Sequence, residues 1–424
     1  MTPKKVILIS SIVLVVLIYV VLQYIVPAPP KKIVIATGGK SGQYYRLGQD
    51  LKSSIEKNGI QVEVLETKGS VENLKLLNTK DAHVDIALVQ SGTATNKEFP
   101  EVESLAGVFY EPLWVVYDPK SFLGLGRQPD KISDLINKNI SIGALGSGTY
   151  QLVEQMFLQD HVSVDRPNFY AFNYEDSLKK LKDHSVDAIF LSINHRADIM
   201  QRILKDPELK IMSFTQAYGY PPRIRGISVI QIHRGVLNIT TDSPDRDILL
   251  PAATAEIVAL NDLHPAITSL IIDAADDMLS GADILNPEKT FPSPNHLSFE
   301  PNDDAQKYMR DGPSFLHRYL PFWVAVWADR LLRVIIPLLA ILIPLFNFLP
   351  AIIVYRTKAK FAKVYKELRE IEKTIKVGGF DKGDINQDLD RLSELTKSLK
   401  VPQFNSKDTY DLLAHIDDVK KRIK

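Results

Sequence analysis

Lys32-Ile33-Val34-Ile35-Ala36-Thr37-Gly38-Gly39-Lys40-Ser41-Gly42-Gln43-Tyr44-Tyr45-Arg46-Leu47-Gly48 is the stretch on which the fold turns. Its first five residues form a short, almost continuously apolar run, the pattern of a strand buried on both faces. Glycines then break the run, and the apolar spacing becomes helical through Tyr45, Leu47, Leu51 and Ile55. Strand, Gly-rich turn and helix together open a βαβ unit. Residues 61–65 alternate as a second strand. A helix follows from Ser70 through Val71, Leu74 and Leu77, and 84–89 is another compact strand. Strands alternating with helices over this length predict a mainly parallel sheet covered on both faces.

The alternation breaks at 106–110 and 113–117, two near-adjacent strands separated by Glu111-Pro112 that carry the chain out of the first sheet. Beyond the polar stretch 118–131 a second series begins. It has a strand at 139–144, the turn Gly146-Ser147-Gly148-Thr149, a helix at 150–158, and strands at 169–172, 186–191 and 209–213. Residues 228–232 read as the passage back, and 255–260 with a helix at 265–279 complete the first unit. The prediction is two α/β lobes joined by two crossovers, with a cleft between them.

In open α/β sheets ligands sit beyond the carboxyl ends of strands, where helix N-termini offer free N–H groups and partial positive charge to anions. Three segments carry the ingredients: residues 37–45, Lys68-Gly69-Ser70 and 146–149. Glycine admits a ligand close to the backbone, and Ser and Thr add hydroxyl donors. Any one of these is equally an ordinary capped turn; their recurrence at corresponding places in two lobes points to a site. Lys68 would add a full positive charge if it faced the ligand rather than solvent.

Composition excludes several classes. With no cysteine, a disulfide framework, a thiol nucleophile, cysteine-ligated metal and a lipidated N-terminus are ruled out. With 51 basic and 51 acidic residues, the chain carries no net charge to bind nucleic acid. The nine histidines show no His-Glu-x-x-His spacing, and no P-loop or Gly-x-Ser-x-Gly elbow occurs. His264 before Pro265 reads as a helix cap. No catalytic set, no resident metal and no cofactor is expected, so the chain reads as a binding protein rather than an enzyme.

Two apolar stretches, 6–26 and 334–355, bracket this middle region, each at least 21 residues without a charge. At about 1.5 Å of rise per residue, each is long enough to cross a hydrocarbon core of about 30 Å. Lys4 and Lys5 precede the first, and Arg356, Lys358, Lys360, Lys363 and Lys366 follow the second. This asymmetry puts both termini in the cytoplasm and the middle outside a bacterial inner membrane. A cleaved signal peptide is the competing reading of 6–26, although its apolar run is long and Val26-Pro27-Ala28-Pro29-Pro30 is a poor cleavage site. The divisions expected are an anchor at 1–26, a periplasmic binding domain at 27–311, an aromatic interfacial segment at 312–333, a membrane helix at 334–355 and a cytoplasmic tail at 356–424. Within the binding domain the first lobe takes about 32–117 and 230–300, the second about 118–229. Phe315, Tyr319, Phe322, Trp323 and Trp327 suit a membrane surface. Pro337, Pro344 and Pro350 would kink the second span. Asn347 within it invites a partner helix, whether from a second copy or from a permease.

The opening stretch, with Gly69-Ser70-Val71-Glu72-Asn73-Leu74, Asp85-Ile86-Ala87-Leu88-Val89-Gln90-Ser91, residues 143–149, Val186-Asp187-Ala188 and Asp262-Leu263-His264-Pro265-Ala266, resembles the TAXI-type solute-binding subunits of tripartite ATP-independent periplasmic (TRAP) transporters. The likeness covers roughly 32–280. It implies a periplasmic-binding-protein fold of type II. Two lobes would close on a small organic anion, a dicarboxylate or an amino acid such as glutamate, and pass it to an ion-coupled permease. By the same resemblance Ser41, Gly42 and Tyr44, with Thr37 and Gly38 in the same turn, line one wall, Ser70 and Asn73 a second, and Gln90 and Ser91 a third. Ser147, Gly148 and Thr149 close from the other lobe. Tyr110 and Asn194 join them only through their positions after strands. Lys40 and Ser41 depart from the small residues usual in the first loop, and two anchors are unusual for a transporter's binding subunit.

The tail carries three helical stripes: Phe361, Val364, Tyr365, Leu368, Ile371 and Ile375; then Ile385, Leu389, Leu392, Leu395 and Leu399; then Tyr410, Leu413, Ile416 and Val419. Gly378-Gly379 separates the first two, with Asp384 as the expected cap. The alternative function is a ligand sensor or scaffold that signals through this tail.

Overall fold

The computed structural model describes residues 19, 27–40, 42–379, 381–399 and 406–423, without the side chains of 342, 345–354, 356, 357 and 406. It divides into two compact units, Pro27–Asp329 and one that includes Arg330–Lys424.

In the first unit β1 (Lys32–Ala36) leads into α1 (Gln43–Ile55), then β2 (Gln61–Leu65), α2 (Ser70–Leu77) and β3 (Ile86–Gln90). β1 pairs in parallel with both β2 and β3. All five residues of β3 are buried, as the unbroken apolar run requires. The long β4 (Val102–Tyr117) follows. A second series comprises β5 (Ile140–Ser141), α3 (Gly148–Gln159), β6 (Phe169–Tyr170), α4 (Tyr174–Lys182), β7 (Ala188–Ser192), α5 (Asp198–Leu204) and β8 (Lys210–Ile211). Then come β9 (Ile227–Ile232), β10 (Ile248–Leu260), α6 (Pro265–Leu279), β11 (Glu300–Pro301), α7 (Asp303–Asp311) and α8 (Phe315–Tyr319).

The strand order β2-β1-β3-β10-β4-β7-β5-β6 contains one arrangement twice. Three parallel strands, β2-β1-β3 or β6-β5-β7, abut one long antiparallel strand, β10 or β4. Each half is thus an α/β lobe with its own core. One core gathers Ile33, Leu51, Leu88 and Ile271; the other gathers Trp114, Phe157, Phe190 and Phe214. In both lobes the central strand, β1 or β5, has neighbours reached in opposite directions, which opens a crevice at its carboxyl end.

Several sequence expectations are corrected. The strands at 106–110 and 113–117 are one continuous element, because β4 changes partners where Pro112 stands. Pro112 lies opposite Ala252 of β10, and pairing with β7 begins only at Leu113, opposite Ser192. A residue without an N–H is tolerated where no second ladder needs it. Residues 228–232 do not carry the chain back: β9 folds antiparallel onto β10, and β10 makes the passage. Accordingly Ile230, Ile232, Ile248 and Leu250 pack in the second core, and the first resumes at Ala255, whereas the sequence places the return near 230. The strands expected at 139–144, 169–172 and 209–213 shrink to two residues each.

Phe322 and Trp323 pack against the first core, while Phe315, Tyr319 and Trp327 are exposed, so the aromatic segment is divided between core and surface. α9 (Phe322–Val377), α10 (Lys382–Ser398) and α11 (Ser406–Lys421) complete the chain. In the second unit Phe361, Leu368, Leu389, Leu392, Leu412 and Ile416 share a core of their own. Asp381, not Asp384, caps α10, its Oδ1 accepting from the Gly383 N–H at 2.7 Å. Among the described residues no helix is long and apolar enough to cross a membrane. The stretch 6–26, apart from Tyr19, lies outside them.

Candidate functional site

The carboxyl ends of β1, β3, β5 and β7 bring together residues from both lobes. Gly42 stands at the N-cap of α1, its N–H donating to the Gly39 carbonyl at 2.7 Å. Tyr44, in the first turn, donates its hydroxyl to Glu111 Oε2 at 2.9 Å. Ser70, first residue of α2, accepts the Gln90 N–H at 2.9 Å. Gly38 is buried beside Tyr44, and Ser41 lies outside the described residues.

From the other lobe Ser147 caps α3, its Oγ accepting from the Tyr150 N–H at 3.2 Å. Ser147→Ala removes that acceptor and is expected to cost about 1 kcal/mol of stability, read from chemical denaturation. Thr149 Oγ1 accepts the Ser192 N–H at 3.1 Å and lies 2.6 Å from the Tyr174 hydroxyl. Tyr174 has one proton, and it goes to the Ser192 carbonyl at 3.1 Å, so Thr149 donates to Tyr174. Ser192 Oγ faces the Glu111 carbonyl at 3.5 Å, joining this group to β4.

The lobes meet where Gln90 lies on Gly148. A Cβ at 148 would fall 2.8 Å from Gln90 Cδ and closer still to Oε1, so glycine is needed for that approach. Gln90 is 5% exposed, and its Nε2 is buried without a hydrogen-bond partner. A buried amide N–H pair left unmatched beside a helix N-terminus is an open hydrogen-bonding position. Gln155 Nε2 also donates to the Gly92 carbonyl across the same seam.

Other predicted residues have their bonds inside the protein. Thr37 Oγ1 donates to the Leu65 carbonyl at 2.8 Å, and Asn73 Nδ2 to the carbonyls of Thr37 and Leu88 at 2.5 and 2.7 Å. These two stitch the ends of β1, β2 and β3. Ser91 Oγ donates to the Gly226 carbonyl and accepts the Thr254 N–H, both at 2.6 Å, a clasp on the crossover. Asn194 Oδ1 accepts from the Arg196 N–H at 2.9 Å, shaping the loop after β7. Tyr110 packs edge-on against Phe291, 4.9 Å between centroids, on the face of β4 opposite Glu111. Lys68 is exposed. His264 is the expected cap, its Nδ1 accepting from the Ala266 N–H at 3.1 Å.

The profile of the NMT1-like family matches residues 35–218. None of the curated proteins matches the chain. Among solved structures it is similar to the arginine-, lysine-, histidine-binding protein ArtJ from Geobacillus stearothermophilus, at 12% identity and a TM-score of 0.36, over 58% of this chain and 88% of that one. The effector-binding domain of BenM with benzoate matches at 12% identity and 0.39, over 61% and 97%. A protein from Bordetella bronchiseptica RB50 matches at 15% identity and 0.41, over 67% and 98%.

Glu111 and Tyr174 are the residues of this cluster that sequence reading missed. Burial pushes the Glu111 carboxyl up to about 8, against a smaller opposing effect of the Tyr44 hydrogen bond. Burial, then Glu111, raises Tyr44; burial also raises Tyr174. On the neighbouring long strand Glu256 is buried as well, pushed up to about 7 while holding the Ser298 N–H at 2.8 Å. The available signal was an acid before a proline inside a strongly apolar run. Among the described residues no group of three or more His, Asp and Glu is placed to hold a metal ion. A cavity of about 460 Å³, lined by Lys205, Lys210, Asp245 and Arg246, lies among α5, β8 and the β9–β10 loop and includes none of the cluster.

Proposed function

We propose that this chain is a membrane-tethered, extracytoplasmic solute-binding protein. It captures a small organic anion, a dicarboxylate or an amino acid such as glutamate, by closing two lobes for a TRAP-type transporter. The observation that carries this reading is the unmatched Gln90 amide against Gly148, at the N-terminus of a 12-residue helix and beside the hydroxyls of Tyr44, Ser70 and Thr149. What this position offers a carboxylate is the Gln90 N–H pair and a positive helix end, the Tyr44 and Thr149 protons being held by Glu111 and Tyr174. Closure follows because the ligand touches both lobes only when they meet.

Tethering is supported by the uncharged stretches 6–26 and 334–355 and by exposed Leu331, Leu332, Ile336, Leu339, Ile341 and Ile343 on α9. This reading places the binding unit in the periplasm and residues 356–424 of the second unit in the cytoplasm. The compact core of that second unit favours a docking role for the tail as the alternative, in which occupancy is reported to a partner. Deleting 356–424 separates the two: uptake that survives unchanged assigns the tail no part in transport.

The direct test is a thermal-shift screen of the full-length protein with small mono- and dicarboxylates and acidic amino acids. Ligand at about 100 times its Kd adds about 2.7 kcal/mol to the native state, a shift of several degrees. Gly148→Val, which drives a side chain into Gln90, is expected to abolish it. Absence of any shift in the wild type at millimolar concentrations would count against solute capture.

A further inference from the structure

We propose that Glu111 is the proton-carrying residue of this crevice, a neutral carboxylic acid that donates its hydrogen to an anionic ligand and so makes anion binding proton-linked. The proposal rests on the reading that the crevice takes a small organic anion. Glu111 sits where β4 leaves one sheet for the other, 7% exposed, between Tyr44 of α1 and Ser192 of β7. Tyr44 occupies one carboxyl oxygen; the other has no hydrogen-bond partner among the described residues.

Among the described residues the surrounding groups hold no cation for a carboxylate. α1 presents Tyr44, α2 presents Ser70, α3 presents Thr149 and α4 presents Tyr174, while β7 contributes Ser192. On β10 the residues opposite are Ala252 and Ala253, and the titratable group further along is Glu256, itself an acid. The lysines flanking the first turn point elsewhere: Lys40 pairs with Glu66 at 3.5 Å, and Lys68 is exposed. An isolated buried carboxylate costs far more than a buried acid, so the site keeps its proton, in line with a carboxyl pushed up to about 8. A protonated acid and the unmatched Gln90 amide together give the crevice two neutral donors; an ionised acid repels the ligand.

The test uses the full-length protein. Infrared difference spectra of wild type against Glu111→Gln should show a protonated-carboxyl stretching band at pH 6–7 that fades as pH rises toward 10. Succinate, glutarate and L-glutamate are then titrated by calorimetry at pH 7 and 9. Wild-type affinity is expected to fall about tenfold at pH 9, as the protonated fraction does for a group titrating near 8. In Glu111→Gln the remaining affinity should not change between the two pH values. Binding without the protonated-acid band, wild-type affinity that is flat or rises with pH, or a variant that keeps the wild-type fall, each overturns the proposal while leaving solute capture intact. If none of the three anions binds the wild type, the anion reading fails and the proposal fails with it.

Discussion

Wild-type stability is expected to fall by about 3 kcal/mol between pH 5.5 and 8.5 on account of Glu111 alone, and Glu111→Gln is expected to lack that part of the fall. The sign follows from the direction of the shift. In the unfolded chain the carboxyl titrates near 4.5; in the folded protein, near 8. Below 4.5 both states hold the proton and the acid has no pH-dependent effect. Between the two values only the unfolded state ionises, so each pH unit favours unfolding by about 1.4 kcal/mol, until the folded group titrates too. Glutamine has no proton to release, and its Oε1 can still accept from Tyr44. Glu256 adds a smaller fall of the same sign, ending near pH 7, which the variant keeps. Urea unfolding followed by tryptophan fluorescence at the two pH values reads both, with Trp114 buried in the second core as one reporter. Parallel profiles for wild type and variant would remove Glu111 from the set of neutral buried acids.

Gly226→Ala is expected to destabilise the binding unit by about 2–5 kcal/mol. Gly226 has φ +80°, where a Cβ costs about 1–2 kcal/mol. That Cβ would fall 2.6 Å from Ser91 Cβ and 2.8 Å from Ser298 Oγ, and overpacking of this kind costs about 1–3 kcal/mol more. Neither neighbour is free to yield. Ser91 clasps the Gly226 carbonyl and the Thr254 N–H, and Ser298 Oγ accepts the Gly92 N–H at 2.7 Å. Three chain segments, the end of β3, the start of β9 and the strap before β11, are pinned at this point. By contrast Gly124→Ala meets open space and serves as the control. Urea midpoints that agree for the two variants would show that the junction yields easily.

Much of the first lobe was legible because its signals are local. The run of five at β1, the glycines after it and the 3.6-residue spacing of Leu47, Leu51 and Ile55 each fix their own element. The first two tail stripes were readable for the same reason, whereas in the third Leu412, not Tyr410 or Leu413, joins Ile416 and Val419 in the core. The crossovers were not. Whether 106–117 is two strands or one depends on β7 taking over from β10 at Leu113, which no window around Pro112 reveals. Among the site residues, hydroxyl and amide chemistry marked Tyr44, Ser70, Gln90 and Thr149, but marked Thr37, Asn73 and Ser91 equally. What sets Gln90 apart is that its side-chain N–H pair meets no partner, whereas backbone groups from distant strands engage Thr37, Asn73 and Ser91, and Ser70 and Thr149 as well. Glu111 was invisible for a related reason: its partner Tyr44 lies 67 residues away, and an acid beside a proline reads locally as a loop.

The claim at the centre is that a small organic acid draws the two lobes together, and the absence of native cysteine makes it directly measurable. Lys75 on α2 and Lys179 on α4 are exposed, one in each lobe, and can be replaced by cysteine in the full-length protein to carry spin labels. Pulsed EPR distances with and without saturating small carboxylates should shift to a shorter and narrower distribution for at least one of them. A distribution identical with and without every one of these acids would contradict capture between the lobes.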